Sequence, residues 1–237
     1  PNGAAIIFLS GLTCTEENFT VKAGAYRVAA QLGLTIVVPD TSPRGPHVPD
    51  DESIALGGGA SFYVDATQAP WRSHYQMYSY IANELPALIG QHFAVQRFGL
   101  MGHSMGGHGA LTIGQRNPQT FQSLSALAPV CRLSQDGWGP TVLTAYLGAD
   151  RSRWADYDAC LLMRQQQAPL PTILVDQGTA DSAYLQGRLN PEAFAQACEA
   201  VKQPLSLRFH EGYDHGYFFI QSFIDDHLHH HAQLLMS

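Results

Sequence analysis

The residues best able to do chemistry in this chain sit in one short string, Gly102-His103-Ser104-Met105-Gly106-Gly107. A serine with glycines two positions before and two after it fits G-x-S-x-G, and its flanks make the match specific. Arg97-Phe98-Gly99-Leu100-Met101 before it has the composition of a buried strand, and Gly109-Ala110-Leu111-Thr112-Ile113 after it that of a helix. A strand, a sharp turn and a helix would hold the hydroxyl above the end of a sheet, with the glycines relieving the crowding that side chains would cause. The chemistry offered is nucleophilic attack on an acyl carbon. A glycine-rich turn of this shape can also bind a phosphate, or nothing.

A serine hydroxyl needs a base to take its proton, and the base needs an acid to orient it. In this arrangement the chain order is Ser, then Asp or Glu, then His. Among 11 histidines, His215 in Gly212-Tyr213-Asp214-His215-Gly216 has the right position, between the last strand and the last helix. His210 competes with it, as do His227, His229, His230 and His231. Adjacent histidines on a helix point in different directions. His227 and His231 share a face, but no carboxylate or cysteine pattern completes a metal site, so a solvated helix face is expected. The acid is expected at Asp181, in the loop Asp176-Gln177-Gly178-Thr179-Ala180-Asp181. Asp176 is the alternative, nearer the strand and able to brace the turn. An oxyanion hole requires two backbone N–H groups. Met105 should supply one, and the loop Ser10-Gly11-Leu12-Thr13-Cys14-Thr15 the other.

The elements that must position these groups are legible in the apolar pattern. Runs of strand length at residues 5–9, 35–38, 97–101, 123–127, 172–175 and 205–209 read as strands buried on both faces, as in a parallel sheet. Helical spacing covers 24–32, 77–92, 106–117, 191–201 (with Asn190 as its cap) and 216–236. Alternation of the two predicts an α/β fold, a doubly wound, mostly parallel sheet with helices on both faces, as one domain over residues 1–237. Two segments lie outside this scheme, 40–68 and 130–167, the second carrying Trp138 and Trp154. Ordered loops of that length are expected to shape a pocket.

Composition narrows the function. Of 237 residues, 45% are hydrophobic and 14% charged, the balance of a globular chain. Thirteen basic against 20 acidic residues give a net charge of -7, with no basic run to neutralise phosphates, so nucleic acid is not an expected partner. The apolar runs are too short to span a membrane. Four cysteines, Cys14, Cys131, Cys160 and Cys198, show no CxxC spacing and fit a reducing compartment. Pro1 and Asn2 lead straight into the first apolar run without a methionine, so the chain is expected to lack its natural start.

With these residues in view, the chain resembles the S-formylglutathione hydrolases, or esterase D family, of the α/β-hydrolase superfamily. The resemblance covers nearly the whole chain. It is carried by Leu9-Ser10-Gly11-Leu12-Thr13-Cys14-Thr15, Pro39-Asp40-Thr41-Ser42-Pro43-Arg44-Gly45, Gly102 to Leu111, Gly212-Tyr213-Asp214-His215, and Phe62-Tyr63-Val64-Asp65-Ala66-Thr67 followed by Pro70-Trp71. It implies hydrolysis of S-formylglutathione to formate and glutathione, a cytoplasmic role in formaldehyde detoxification, no cofactor, no metal and a homodimer. The family's relay falls on Ser104, Asp181 and His215, its oxyanion donors on the backbones of Leu12 and Met105, and its cysteine near the centre on Cys14. Trp71 and Tyr63 are expected as walls of a cramped acyl pocket, and Lys22 and Arg44 as cations near the relevant loops.

The chain departs from the family in three places. About two N-terminal strands are absent, which would make residues 5–9 the family's third strand. An aromatic residue is missing between Asp51 and Gly58, with Ala60-Ser61 in place of a glycine-containing pair. One extra residue follows Asp181. A short-chain carboxylesterase or an acyltransferase would use the same triad, and a catalytically silent binding protein would share the fold.

Overall fold

In the computed structural model, which describes residues 3–135 and 137–236, the apolar runs become the strands of one all-parallel sheet. Pro1 and Asn2 lie outside the described residues. The strands are β1 (Ala4–Leu9), β2 (Thr35–Val37), β3 (Arg97–His103), β4 (Phe121–Leu127), β5 (Ile173–Gly178) and β6 (Leu205–His210), in the order β2-β1-β3-β4-β5-β6. The register sets Leu9 beside Gly102 and His103 beside Leu127, so β1, β3 and β4 end at one level. From β1 the chain goes outward to β2 on one side and returns to β3 on the other. The loops leaving β1 and β3 therefore diverge, and a crevice opens at that switch point.

Ten helices accompany the strands among the described residues: α1 (Glu16–Lys22), α2 (Tyr26–Leu32), α3 (Met77–Ser79), α4 (Leu85–His92), α5 (Met105–Arg116), α6 (Gly139–Leu147), α7 (Ala159–Arg164), α8 (Ser182–Leu185), α9 (Pro191–Ala200) and α10 (Tyr217–Leu235). Successive β1 side chains point to opposite faces. Ala4, Ile6 and Phe8 join the apolar layer under α1, α2 and α10, whereas Ala5, Ile7 and Leu9 join the layer under α4, α5 and α9. Helices thus cover both faces, as the pattern predicted.

The differences from that reading are local. The helix expected at 24–32 starts at Tyr26, and a separate α1 precedes it, begun by the Thr15 side chain capping the Glu17 amide while Asn18 accepts from the Thr15 amide. The helix expected over 77–92 passes through a π-turn, Tyr80–Glu84, between α3 and α4. Asn190 precedes α9 in a left-handed conformation, and its side chain donates to the Gly187 carbonyl instead of capping the helix. The edge strands β2 and β6 are only partly buried, since each has a single strand neighbour.

The solvated histidine face expected on α10 is corrected by the structure. His229 is exposed, but His227 and His231 are fully buried against the sheet. The i, i+4 face they share is the one α10 presents to β4 and β5, where serines and a carboxylate meet them. The His231 ring nitrogens lie 2.6 Å from Ser123 Oγ and 2.8 Å from Ser125 Oγ. Burial pushes the His231 pKa well below the usual value, so the ring is neutral. Space for it comes from Gly99, where a Cβ would fall 2.6 Å from His231 Nδ1.

His227 Nε2 lies 3.2 Å from Asp176 Oδ2, and Arg208 donates to both oxygens of the same carboxylate at 2.6 and 2.5 Å. Burial pushes the Asp176 carboxyl up, but the hydrogen bonds from Arg208 and His227 outweigh it and hold the pKa well below the carboxylate range. A carboxyl depressed in the folded state stabilises above its unfolded pKa, about 3.9, and loses that contribution as pH falls below it. Arg208→Ala, which leaves a buried charge short of its main partner, should cost about 3 kcal/mol at pH 7. Urea unfolding should show the gap to wild type closing between about pH 4 and pH 2. A small or pH-independent difference would contradict this account.

Candidate active site

The turn carrying Ser104 is shaped by backbone contact. Ser104 has φ 57° and ψ -118°, a strained conformation directly before α5. A Cβ on Gly102 would lie 2.1 Å from the Gly106 carbonyl oxygen, one on Gly106 1.9 Å from the Leu9 oxygen, and one on Gly107 2.8 Å from Pro129 Cβ. No side chain fits at these three positions. The strain is held by the surroundings: the Ser104 amide donates to Leu127 O at 3.0 Å, and its carbonyl accepts from His108 (3.0 Å) and Val130 (3.3 Å).

The structure brings Ser104, His215 and Asp181 together. His215 Nε2 is 2.8 Å from Ser104 Oγ, and His215 Nδ1 is 2.5 Å from Asp181 Oδ2. In the neutral ring Nδ1–H donates to Asp181, leaving Nε2 to accept the serine proton. Asp181 is completely buried and uses both oxygens. Oδ1 accepts from the amides of Ala183 (2.8 Å) and Tyr184 (3.2 Å), capping α8, and Oδ2 also accepts from Gln177 Nε2 at 3.1 Å. Burial raises its pKa, but the hydrogen bond and charge of His215 win and the carboxyl lies below its usual value. Ser182–Leu185, directly after Asp181, form the one-turn helix that this cap begins.

The acid and base loops are joined by their own backbones. Thr179 donates to His210 O and Ala180 to Tyr213 O, each at 3.0 Å, and a Cβ at Gly178 would collide with Tyr213 O at 2.3 Å. The other candidates face elsewhere. Asp176 holds Arg208, His210 stacks on Phe223 at 3.6 Å between centroids, and Asp214 accepts from the Gly216 amide at 2.8 Å.

His103 is a neighbour whose part the sequence did not suggest. Its ring is buried and lies 4.6 Å from that of His215, tilted 46°. Burial, reinforced by repulsion from His215, keeps its pKa well below normal. A neutral imidazole thus backs the base without competing for a proton. The only earlier sign of it was its position beside Ser104.

The loop 10–15, where an oxyanion donor is expected, is fixed by the segment 40–68. Thr13 donates to Gly59 O at 2.9 Å, Tyr63 Oη to Ser10 O at 2.9 Å, and the Thr41 hydroxyl to Cys14 O. A Cβ on Gly11 would come within 3.3 Å of Ser104 Cβ, so this loop lies against the serine turn. Leu12 follows Gly11 in it. Met105 is the first residue of α5, whose leading amides have no acceptor within the helix. The loop bearing Leu12 and the start of α5 thus adjoin Ser104 from two sides.

Ser104 and His215 open into a cavity of ≈ 300 Å³ shared with Leu12 and Cys14. Its walls are Phe62, Leu133 and Trp138. Trp71, expected there, packs instead edge-to-face on Tyr75 and Tyr146 at 5.1 and 5.3 Å, in an aromatic cluster of the core, and does not line the cavity. Tyr63 is likewise a buried brace. Arg44 is paired with Asp40 at 2.7 Å and Lys22 lies over the Tyr217 ring at 5.5 Å, neither lining the cavity. Trp138 comes from the 130–167 segment and Phe62 from 40–68, the two long segments expected to shape a pocket. No group of three or more His, Cys, Asp or Glu side chains arranged to hold a metal ion occurs among the described residues.

Comparison with known proteins places this geometry among esterases. A family model described as a putative esterase matches residues 2–230. The S-formylglutathione hydrolase of Rattus norvegicus is 47% identical over 98% of this chain and 83% of its own length. That of Bos taurus is 47% identical over 97% of this chain and 83% of its own. A solved S-formylglutathione hydrolase from Agrobacterium tumefaciens superposes with a TM-score of 0.94 at 51% identity, covering 98% of this chain and 84% of that one. MPT51 of Mycobacterium tuberculosis, TM-score 0.77 at 17% identity, covering 98% of this chain and 90% of that one, shares the fold.

Cys14, which reaches the cavity, has its thiol pKa raised by burial, only partly offset by the charge of Lys22. The thiolate is the reactive form. Iodoacetamide at pH 7 should therefore alkylate Cys14 several times more slowly than free glutathione, with the rate still climbing above pH 9. A rate equal to that of the free thiol would contradict the burial effect.

Proposed function

The chain belongs to the S-formylglutathione hydrolase family of esterases, and we propose that it hydrolyses S-formylglutathione to formate and glutathione through an acyl-enzyme on Ser104. The observation that carries the reading is the continuous hydrogen-bonded line from Ser104 Oγ through His215 to Asp181, opening into a small cavity.

In the proposed reaction His215 Nε2 takes the Ser104 proton as Oγ attacks the thioester carbon. The amides of Leu12 and Met105 receive the oxyanion, in the geometry that makes such donors effective. The carbon–sulfur bond breaks and the leaving glutathione thiolate takes the proton from His215. Water, deprotonated by the same nitrogen, then attacks the formyl-serine; the Oγ–carbon bond breaks, His215 returns the proton to Ser104 Oγ, and formate leaves. Asp181 keeps Nδ1 protonated and steadies the imidazolium without taking its proton. A formyl group has no alkyl body, so in this reading a small acyl site beside Ser104, among lining residues such as Phe62 and Leu133, would suffice.

The same reading assigns the enzyme to formaldehyde detoxification in the cytoplasm, acting as a homodimer. Free thiols at Cys14, Cys131, Cys160 and Cys198 support a reducing compartment. No helix among the described residues is long and apolar enough to cross a membrane. The homodimer is part of the proposal and rests on the family resemblance alone.

The decisive test is kcat/KM for S-formylglutathione beside p-nitrophenyl acetate on one preparation. A preference for the thioester of about a hundredfold, roughly 2.7 kcal/mol of transition-state binding, is expected. Equal values would make the enzyme a general short-chain esterase. Asp181→Asn should lower kcat on the order of 10⁴-fold, as loss of an orienting acid does in serine proteases. Asp176→Asn should act on stability rather than turnover. If Asp176→Asn were the crippling change, the acid would be misassigned.

A further inference from the structure

The cavity at Ser104 has an uneven charge distribution that the acyl chemistry does not explain. Among the described residues that line it, Arg188 alone carries a fixed charge, and no carboxylate does. The chain as a whole has a net charge of -7, so a lone cation in the cavity lining is opposite in sign to the whole. The guanidinium is stacked over the Trp138 ring, 4.6 Å from the centroid, and no ion pair occupies it among the described residues.

The backbone places Arg188 by the same device that places the acid. Asp181 caps α8, the Gly187 amide closes that helix on Tyr184 O at 2.9 Å, and the Arg188 amide returns to Ala183 O at 2.9 Å. Gly187 makes the turn at φ 68°. From the other side Gly137 lies alongside, where a Cβ would make ordinary contact with Arg188 Cγ at 3.4 Å. A cation held on an indole face loses little freedom on binding, and its planar fork of N–H donors matches a carboxylate.

Resting on the function proposed above, we infer that Arg188, stacked on Trp138 at the Ser104 cavity, receives a carboxylate of the glutathione leaving group and sets the preference for anionic thioesters. The formyl group carries no charge for such a residue to recognise. Glutathione carries two carboxylates, and neither Lys22 nor Arg44 lines the cavity to meet them.

The test compares wild type, Arg188→Gln and Arg188→Lys on S-formylglutathione and on uncharged p-nitrophenyl acetate. The ratio of the two kcat/KM values should fall about tenfold or more in Arg188→Gln, as loss of a charge-assisted hydrogen bond does, with most of the change in KM. Arg188→Lys should recover part of it. Calorimetry with S-methylglutathione, which is not hydrolysed, should show the same loss of affinity, while its diethyl ester should bind wild type and Arg188→Gln alike. An unchanged ratio overturns the inference. Equal losses on both substrates overturn it too, and would make Arg188 a brace for the Asp181 turn. If wild type fails to hydrolyse S-formylglutathione, the functional reading falls and the binding measurement still decides the role of Arg188. No binding of S-methylglutathione by wild type, or no loss in Arg188→Gln, would then overturn it.

Discussion

The start of α5 lies closer to the ends of β1 and β3 than any side chain would permit, and the site follows from that approach. Gly106 rests on the Leu9 carbonyl and Gly102 on that of Gly106. A chain arriving from β3 can enter the helix in so little space only by reversing at Ser104 with a positive φ. Such a conformation costs on the order of 1–3 kcal/mol and persists where the surrounding structure over-determines it. Leu127, His108 and Val130 supply that surrounding through the backbone alone. The hydroxyl is therefore left with no structural duty and meets His215, directly before the first turn of α5.

The two carboxylates at the end of β5 show how environment divides identical groups. Asp176, within the strand, faces α10 and is neutralised by a two-pronged Arg208 with His227 beside it. Asp181, five residues later, meets only neutral donors besides His215: two α8 amides and the Gln177 amide. A guanidinium beside Asp181 would satisfy its charge and weaken its hold on the base. Neutral donors keep the carboxylate ionised while leaving its attraction for an imidazolium intact. The first carboxylate thus serves stability and the second can stabilise a charge that exists only while the reaction is under way.

Much of this was legible in the chain because local rules govern it. Strands at the apolar runs, the turn at Ser104 and the loops of His215 and Asp181 follow from periodicity and from glycines that a crossing backbone demands. What escaped depends on contacts between distant segments. His227 and His231 look like a polar face on α10 until Ser123, Ser125 and Asp176 are placed opposite them, 51 to 108 residues away in sequence. Trp71 reads as a pocket wall by proximity to the loop motifs, but Tyr75 and Tyr146 claim its ring for the core. The π-turn before α4 leaves no mark in composition.

The cavity walls belong to this second kind of information. Phe62, Leu133, Trp138 and Arg188 come from segments without a hydrophobic period, and each is positioned by hydrogen bonds or close contacts of its neighbours. The loop bearing Leu12 is a case in point. It has no regular structure, yet Gly59, Tyr63 and Thr41 fix its carbonyls and amides from the long 40–68 segment. Backbone donors stabilise a developing oxyanion only if they need not move when the charge appears. A loop tied down at Ser10, Thr13 and Cys14 would meet that condition in the proposed reaction, and the 40–68 segment is what imposes this rigidity beside Ser104.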